Sequence, residues 1–306
     1  MAQAPGGMRR VAYLGGSNAV AASHRLKALA DGLTELGWVQ GRNLRLDLRY
    51  AEGDASRYRP LATELLGQKP DVIIASDEHI AQEVLAIATT VPIVAPIGFD
   101  PVGTGLVRSL ARPGGNVTGI SVLSVELMPK RLQLLKEVVP GLTRVALLYQ
   151  AGDPRTDLFL KSLAEPARKF GITIIPSEFR DDSELERAFE NIAQHKVGAI
   201  LTVPGAFFFQ HRTRVADLAI KHALAYATTT GESVRVGALF SYGPDFPAIF
   251  RQSARLIDKI LRGENPANIP VEQANVYELV VNLKTARAPG IKLPRLFLLQ
   301  ATQTIE

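Results

Sequence analysis

Polar and aromatic side chains recur in this sequence directly after short apolar runs. Ser17 and Asn18 follow Arg10–Leu14; Ser76, Asp77 and Glu78 follow Asp71–Ala75; Pro96, Phe99 and Asp100 follow Pro92–Ala95. Further on come Gln150 and Asp153, Pro204 and Phe207, Thr229, Thr230 and Glu232, and finally Ser241 and Tyr242. Such a set suits a small polar ligand with an apolar body. Backbone N–H groups at a helix start can hold a carboxylate. Asp77, Glu78, Asp100 or Glu232 can hold an ammonium, and Phe99, Phe207 and Tyr242 can flank a ring or an aliphatic stem. Each residue also has a purely structural role open to it. Ser17 and Asn18 suit helix caps, Asp100 before Pro101 suits a turn, Glu78 suits a helix N-terminus and Phe207 suits a core.

Bond-breaking chemistry finds less support. Leu14-Gly-Gly-Ser-Asn-Ala19 lacks dinucleotide-loop spacing, and neither a phosphate-binding P-loop nor a G-x-S-x-G elbow occurs. The five histidines, His24, His79, His195, His211 and His222, include no H-x-x-x-H pair. They read as surface or packing residues. Cysteine is absent, which removes disulfides, thiolate metal sites and two-cysteine racemase chemistry together. The sequon Asn116-Val-Thr118 reads as chance. No catalytic residue, metal or cofactor is expected.

The composition allows a sizeable core: 306 residues, 46% hydrophobic and 21% charged. Net charge is +5, but the basic residues are scattered, so nucleic acid is not an expected partner. No apolar window reaches membrane-spanning length. Met1–Met8 has no hydrophobic signal region, while Ala2-Gln3-Ala4 resembles sequence around a cleavage site. A mature exported chain and a cytosolic N-terminal tail both fit.

Strand-like and helix-like segments alternate. The strands are Arg10–Leu14, Leu44–Tyr50, Asp71–Ala75, Pro92–Ala95 and Val117–Val122, with helices over Ser23–Leu36, Ser56–Gly67 and Glu78–Ala88. After the Val125–Val138 helix the pattern restarts. Arg144-Val-Ala-Leu-Leu148 repeats Arg10-Val-Ala-Tyr-Leu14, and Phe170-Gly171 echoes Leu36-Gly37 as a helix end. Strands follow at Arg144–Tyr149, Thr173–Ser177, Ala199–Val203 and Leu224–Thr228, with helices over Arg155–Phe170, Ser183–Gln194 and Phe207–His222. Beyond them lie a strand over Gly237–Gly243, a helix over Phe246–Arg262, and strands over Tyr277–Leu283 and Leu296–Leu299. The alternation predicts an α/β protein of two doubly wound parallel-sheet lobes, with ligand at the strands' carboxyl ends. One lobe is expected over residues 9–120 plus 243–280, the other over 121–242 plus 281–306.

Asp100-Pro-Val-Gly-Thr-Gly-Leu-Val-Arg-Ser-Leu-Ala-Arg-Pro-Gly-Gly-Asn-Val-Thr-Gly119 resembles a segment of the ABC-transporter substrate-binding family typified by tryptophan-binding (TrpX-like) proteins. Ser241–Asp245, Pro266–Gln273 and Glu278–Ala286 resemble further segments, and the likeness runs from Val11 to Glu306. The resemblance implies a type I periplasmic-binding fold with a three-segment hinge. It implies a periplasmic, exported, monomeric protein that captures an amino acid or an aromatic or branched acid in an interlobe cleft and delivers it to a membrane ABC permease. It also supports Asp100, Ser241 and Tyr242 as site positions. Ser76-Asp-Glu-His79 and Pro96-Ile-Gly-Phe99 depart from the relatives' pattern. The alternatives are a cytosolic ligand-sensing module of a repressor-like regulator, which no helix-turn-helix before Arg10 supports, and a two-lobed enzyme on small acids.

Overall fold

The computed structural model describes residues 7–88, 90–287 and 291–306; the Ala2-Gln3-Ala4 reading lies outside them. In chain order the elements are β1 (Arg9–Gly15), α1 (Ala19–Glu35), β2 (Leu44–Tyr50), α2 (Tyr58–Gly67), β3 (Val72–Ala75), α3 (Glu78–Leu85), β4 (Ile93–Ile97) and β5 (Val117–Ser121). Then come α4 (Met128–Val138), β6 (Arg144–Gln150), α5 (Thr156–Phe170), β7 (Thr173–Phe179), α6 (Leu185–Gln194), β8 (Ala199–Thr202), α7 (Ala206–Gln210), α8 (Arg212–Lys221), β9 (Ala225–Thr228), α9 (Gly231–Val234) and β10 (Phe240–Pro244). The rest is α10 (Phe246–Leu261), β11 (Glu272–Gln273), β12 (Tyr277–Asn282), α11 (Leu283–Ala286), α12 (Arg295–Gln300) and β13 (Gln303–Ile305).

The chain divides into two compact units: 1–122 with 246–276, and 123–245 with 277–306. The first holds a sheet of order β11-β5-β4-β3-β1-β2, the second a sheet of order β13-β12-β10-β9-β8-β6-β7. The stretch β2-β1-β3-β4-β5 reappears as β7-β6-β8-β9-β10, so the sequence repeat is a repeat of topology. Strands β3, β4, β5, β8 and β9 are buried at every residue, as strands covered on both faces must be. One core gathers Leu14, Ile73, Ile93 and Val84; the other gathers Leu148, Ile200, Tyr226 and Phe189. Helices α1 and α5 both hand over to left-handed glycines, Gly37 (φ 90°) and Gly171 (φ 64°), where a side chain would be strained.

Four expectations change. Gly243–Asp245 and Tyr277–Val280 belong to the second unit rather than the first, because β10 and β12 pair with each other from Phe240↔Val281 to Pro244↔Tyr277. That pairing is antiparallel, so the second sheet is mostly rather than wholly parallel. Leu296–Leu299 is helix, not strand: Phe297 is 1% exposed while Leu296 and Leu299 are 74% and 70% exposed, a helical spacing that four apolar letters conceal. The expected Phe207–His222 helix breaks at His211, which closes α7 through its N–H to the Phe207 carbonyl and opens α8 by accepting from Val215 N.

Candidate functional site

In each sheet the winding direction reverses beside the first strand, between β1 and β3 and between β6 and β8. Ligands of open α/β sheets sit outside the carboxyl ends of strands at such a reversal.

In the first unit, Gly16 N donates to Ser76 Oγ at 2.9 Å and Ser76 N to the Leu14 carbonyl at 3.0 Å, which laces the two strand ends together. Ser17, next in the chain after Gly16, is buried. Helix α1 starts at Ala19, earlier than the expected Ser23, because Asn18 caps it: Asn18 Oδ1 accepts from Ala21 N at 2.8 Å. That N–H is therefore occupied by the chain itself. Asn18→Ala is expected to lower stability by about 1 kcal/mol, the usual worth of such a cap, measured by urea denaturation. Asp77 likewise caps α3, accepting from Ile80 N at 3.0 Å.

Glu78 is 1% exposed, and its Oε2 accepts from Gly98 N at 2.7 Å and Phe99 N at 2.8 Å. It fixes the loop leaving β4, with Phe99 buried beside it. Asp100 is exposed, has a left-handed φ of 63°, and accepts from Gly103 N at 2.9 Å within its own turn.

The same region brings together side chains that the sequence reading missed. Tyr13 folds back over Gly15, where an added Cβ would lie 2.7 Å from its ring. Its ring meets Tyr50 edge-on at 5.9 Å and Phe250 at 6.3 Å between centroids. Burial pushes its hydroxyl pKa up, opposed by the charge of Arg25. The Arg25 guanidinium lies 4.2 Å above the centre of the Phe246 ring. A signal was present: Arg25 sits on the buried stripe of α1 with Ala21, Ala22, Leu29, Gly32 and Leu33. A cation on an apolar stripe is the informative exception to burial rules.

In the second unit, Gln150 Nε2 donates to the Arg180 carbonyl at 3.3 Å. Asp153 holds Arg155 through both carboxylate oxygens, at 2.8 and 2.6 Å. Pro204 is half-buried. Phe207 lies in the core, stacked on His211 at 4.4 Å and packed on Phe179 at 4.9 Å between ring centroids. Along β8, β9 and β10 the polar groups are denser. Thr202, Tyr226 and Thr228 line up their hydroxyls, with Tyr226 Oη 3.5 Å from Thr202 Oγ1 and 3.3 Å from Thr228 Oγ1. Thr230 Oγ1 is 3.0 Å from Ser233 Oγ. Ser241 is fully buried, and the Tyr242 carbonyl accepts from Arg131 Nε at 2.7 Å.

Glu278 stands opposite Gly243 on β12. Burial, reinforced by Asp245 and Glu232, lifts its pKa from 4.5 to about 7. A raised folded-state value means that Glu278 favours the folded state while protonated, and that this contribution is lost as pH rises from about 4.5 through about 7. Glu278→Gln is expected to remove that loss. Urea midpoints at pH 5 and pH 8 should therefore differ less in the variant than in the unaltered protein.

The model of the ABC transporter substrate binding protein family matches residues 19–305, and the chain belongs to that family. It is 26% identical over 263 residues to a tyrosine-binding protein of Clostridioides difficile, covering 86% of this chain and 75% of that one. A conserved domain protein from Vibrio cholerae matches with a TM-score of 0.89 and 28% identity, over 97% of this chain and 99% of its own. The ABC domain in complex with L-Trp from Streptococcus pneumonia matches with a TM-score of 0.88 and 24% identity, over 97% and 100%. The fold is that of the type I periplasmic binding proteins.

Proposed function

We propose that this protein is the solute-capturing component of an importer, acting outside the cytoplasm and handing its ligand to a membrane ABC permease. The ligand is an amino acid or a related aromatic acid. One observation carries this reading: Tyr13, Tyr50 and Phe250 cluster with the Arg25–Phe246 pair near the winding reversal of the first sheet. Rings grouped near the carboxyl end of a strand suit a molecule with an apolar ring. A relative named for tyrosine binding and a structural neighbour carrying L-Trp support the same class. Of the residues expected from sequence, Ser17, Ser76, Ser241, Tyr242 and Glu232 remain the proposed contacts. Capture proceeds by hinge closure without bond breaking, and the ligand shifts the equilibrium by its preference for the closed form.

Thermal melting with L-tyrosine, L-tryptophan, L-phenylalanine and benzoate against D-glucose tests the ligand class. At roughly 100 times its Kd a true ligand adds about 2.7 kcal/mol of stability. At least one acid should raise the midpoint and glucose should not; a shift with glucose alone would overturn the reading.

A further inference from the structure

We propose that Arg131 receives the carboxylate of the captured molecule; this deepens the solute-binding reading and rests on it. Arg131 lies on the buried stripe of α4 with Met128, Leu132, Leu135 and Val138 and is 1% exposed. Its guanidinium makes two hydrogen bonds, from Nε to the Tyr242 carbonyl at 2.7 Å and from Nη1 to Met128 Sδ at 4.0 Å. Neither partner is an anion, and among the described residues no Asp or Glu oxygen pairs with it. Burial pulls its pKa down to about 9. A buried cation with no counter-ion carries a desolvation penalty that an incoming anion would relieve.

Its position fits that role. The carbonyl it holds belongs to Tyr242, toward the carboxyl end of β10. A Cβ on Gly243 would lie 3.6 Å from Arg131 Nη2 and 2.4 Å from the Thr229 carbonyl, so the guanidinium lies against the Gly243 backbone beside Thr229. This is the strand edge at which open α/β sheets take ligands. One residue back, Ser241 is fully buried and its Oγ has no hydrogen-bond partner. A planar carboxylate can accept two parallel N–H bonds from a guanidinium. Asp245 and Glu232, whose charges both act on Glu278, favour with it a monoanion over a phosphate dianion.

The test is calorimetry on protein stripped of ligand by unfolding and refolding. The probes are L-tyrosine, L-tryptophan and benzoate, each against its uncharged or decarboxylated counterpart: tyramine, tryptamine and benzamide. The unaltered protein should bind at least one acid about 100-fold tighter than its counterpart, the scale of a lost charged hydrogen-bond pair. Arg131→Gln should lose that discrimination, keep its affinity for the counterpart, and melt, ligand-free, no lower than the unaltered protein. Arg131→Lys should recover part of the discrimination. Acid binding by Arg131→Gln within threefold of the unaltered protein overturns the assignment and leaves the solute-binding reading standing. If Arg131→Gln unfolds, Arg131→Met, which fills the buried stripe without a charge, takes its place, and acid binding by it within threefold of the unaltered protein overturns the assignment. An unaltered protein that binds none of the three acids overturns the reading and the assignment together.

Discussion

Gly119→Ala is expected to destabilise the first unit severely. Gly119 pairs with Ala95 in the parallel β4–β5 ladder. A Cβ there would lie 1.8 Å from the Ala95 carbonyl oxygen and 2.9 Å from its carbon. Both are backbone atoms of a strand buried at every residue, so no rotamer change can make room. Prising the two strands apart breaks ladder hydrogen bonds and opens the core on both faces. The cost should exceed about 4 kcal/mol, a large part of the 5–15 kcal/mol that holds a typical domain. Circular dichroism should show a melting midpoint lowered by roughly 10 °C or more, or insoluble protein. An unchanged midpoint would mean that β4 and β5 are not paired at this register.

Glu78→Ala should be nearly as costly and should also reach the site. Its Oε2 is the acceptor for both Gly98 N and Phe99 N, and the residue is buried at the N-terminus of α3. Truncation strands two buried donors, each worth about 1–3 kcal/mol when left unpaired, so a loss of roughly 3 kcal/mol is expected in urea denaturation. Glu78→Gln keeps a carbonyl oxygen in place and should recover about half of that loss. Because the two N–H groups fix the chain just after β4, Glu78→Ala should weaken ligand binding as well. Full stability in Glu78→Ala would show that the loop leaving β4 is held by other contacts.

The fold was legible because buried parallel strands are short, apolar and punctuated. The repeat of Arg10-Val-Ala-Tyr-Leu14 at Arg144–Leu148 became two sheets wound in the same order. The tail was less legible. Four apolar letters from Leu296 to Leu299 carry no period, and only packing shows that Phe297 alone turns inward. Places that bear polar side chains at strand ends were readable, and so were the structural and ligand tasks open to several of them, but not which task each side chain takes. Asn18 and Asp77 turned out to cap helices, Asp100 to close its own turn and Asp153 to hold Arg155. Which partner such a group finds depends on chain brought in from elsewhere. The same holds for the two stretches that depart from the family pattern. Ser76–His79 and Pro96–Phe99 are joined through Glu78, a link invisible while they are read as separate segments. Arg25 and Arg131 went unnoticed because charged residues on helices are usually solvated; their stripe positions on α1 and α4 were the available clue.

The central claim is that the protein carries a small carboxylate-bearing metabolite, and mass spectrometry of the molecules released on denaturing the freshly purified protein tests it most directly. An amino acid or aromatic acid is expected, present in proportion to protein. Release of a neutral sugar, or of any stoichiometric ligand without a carboxylate, would contradict it.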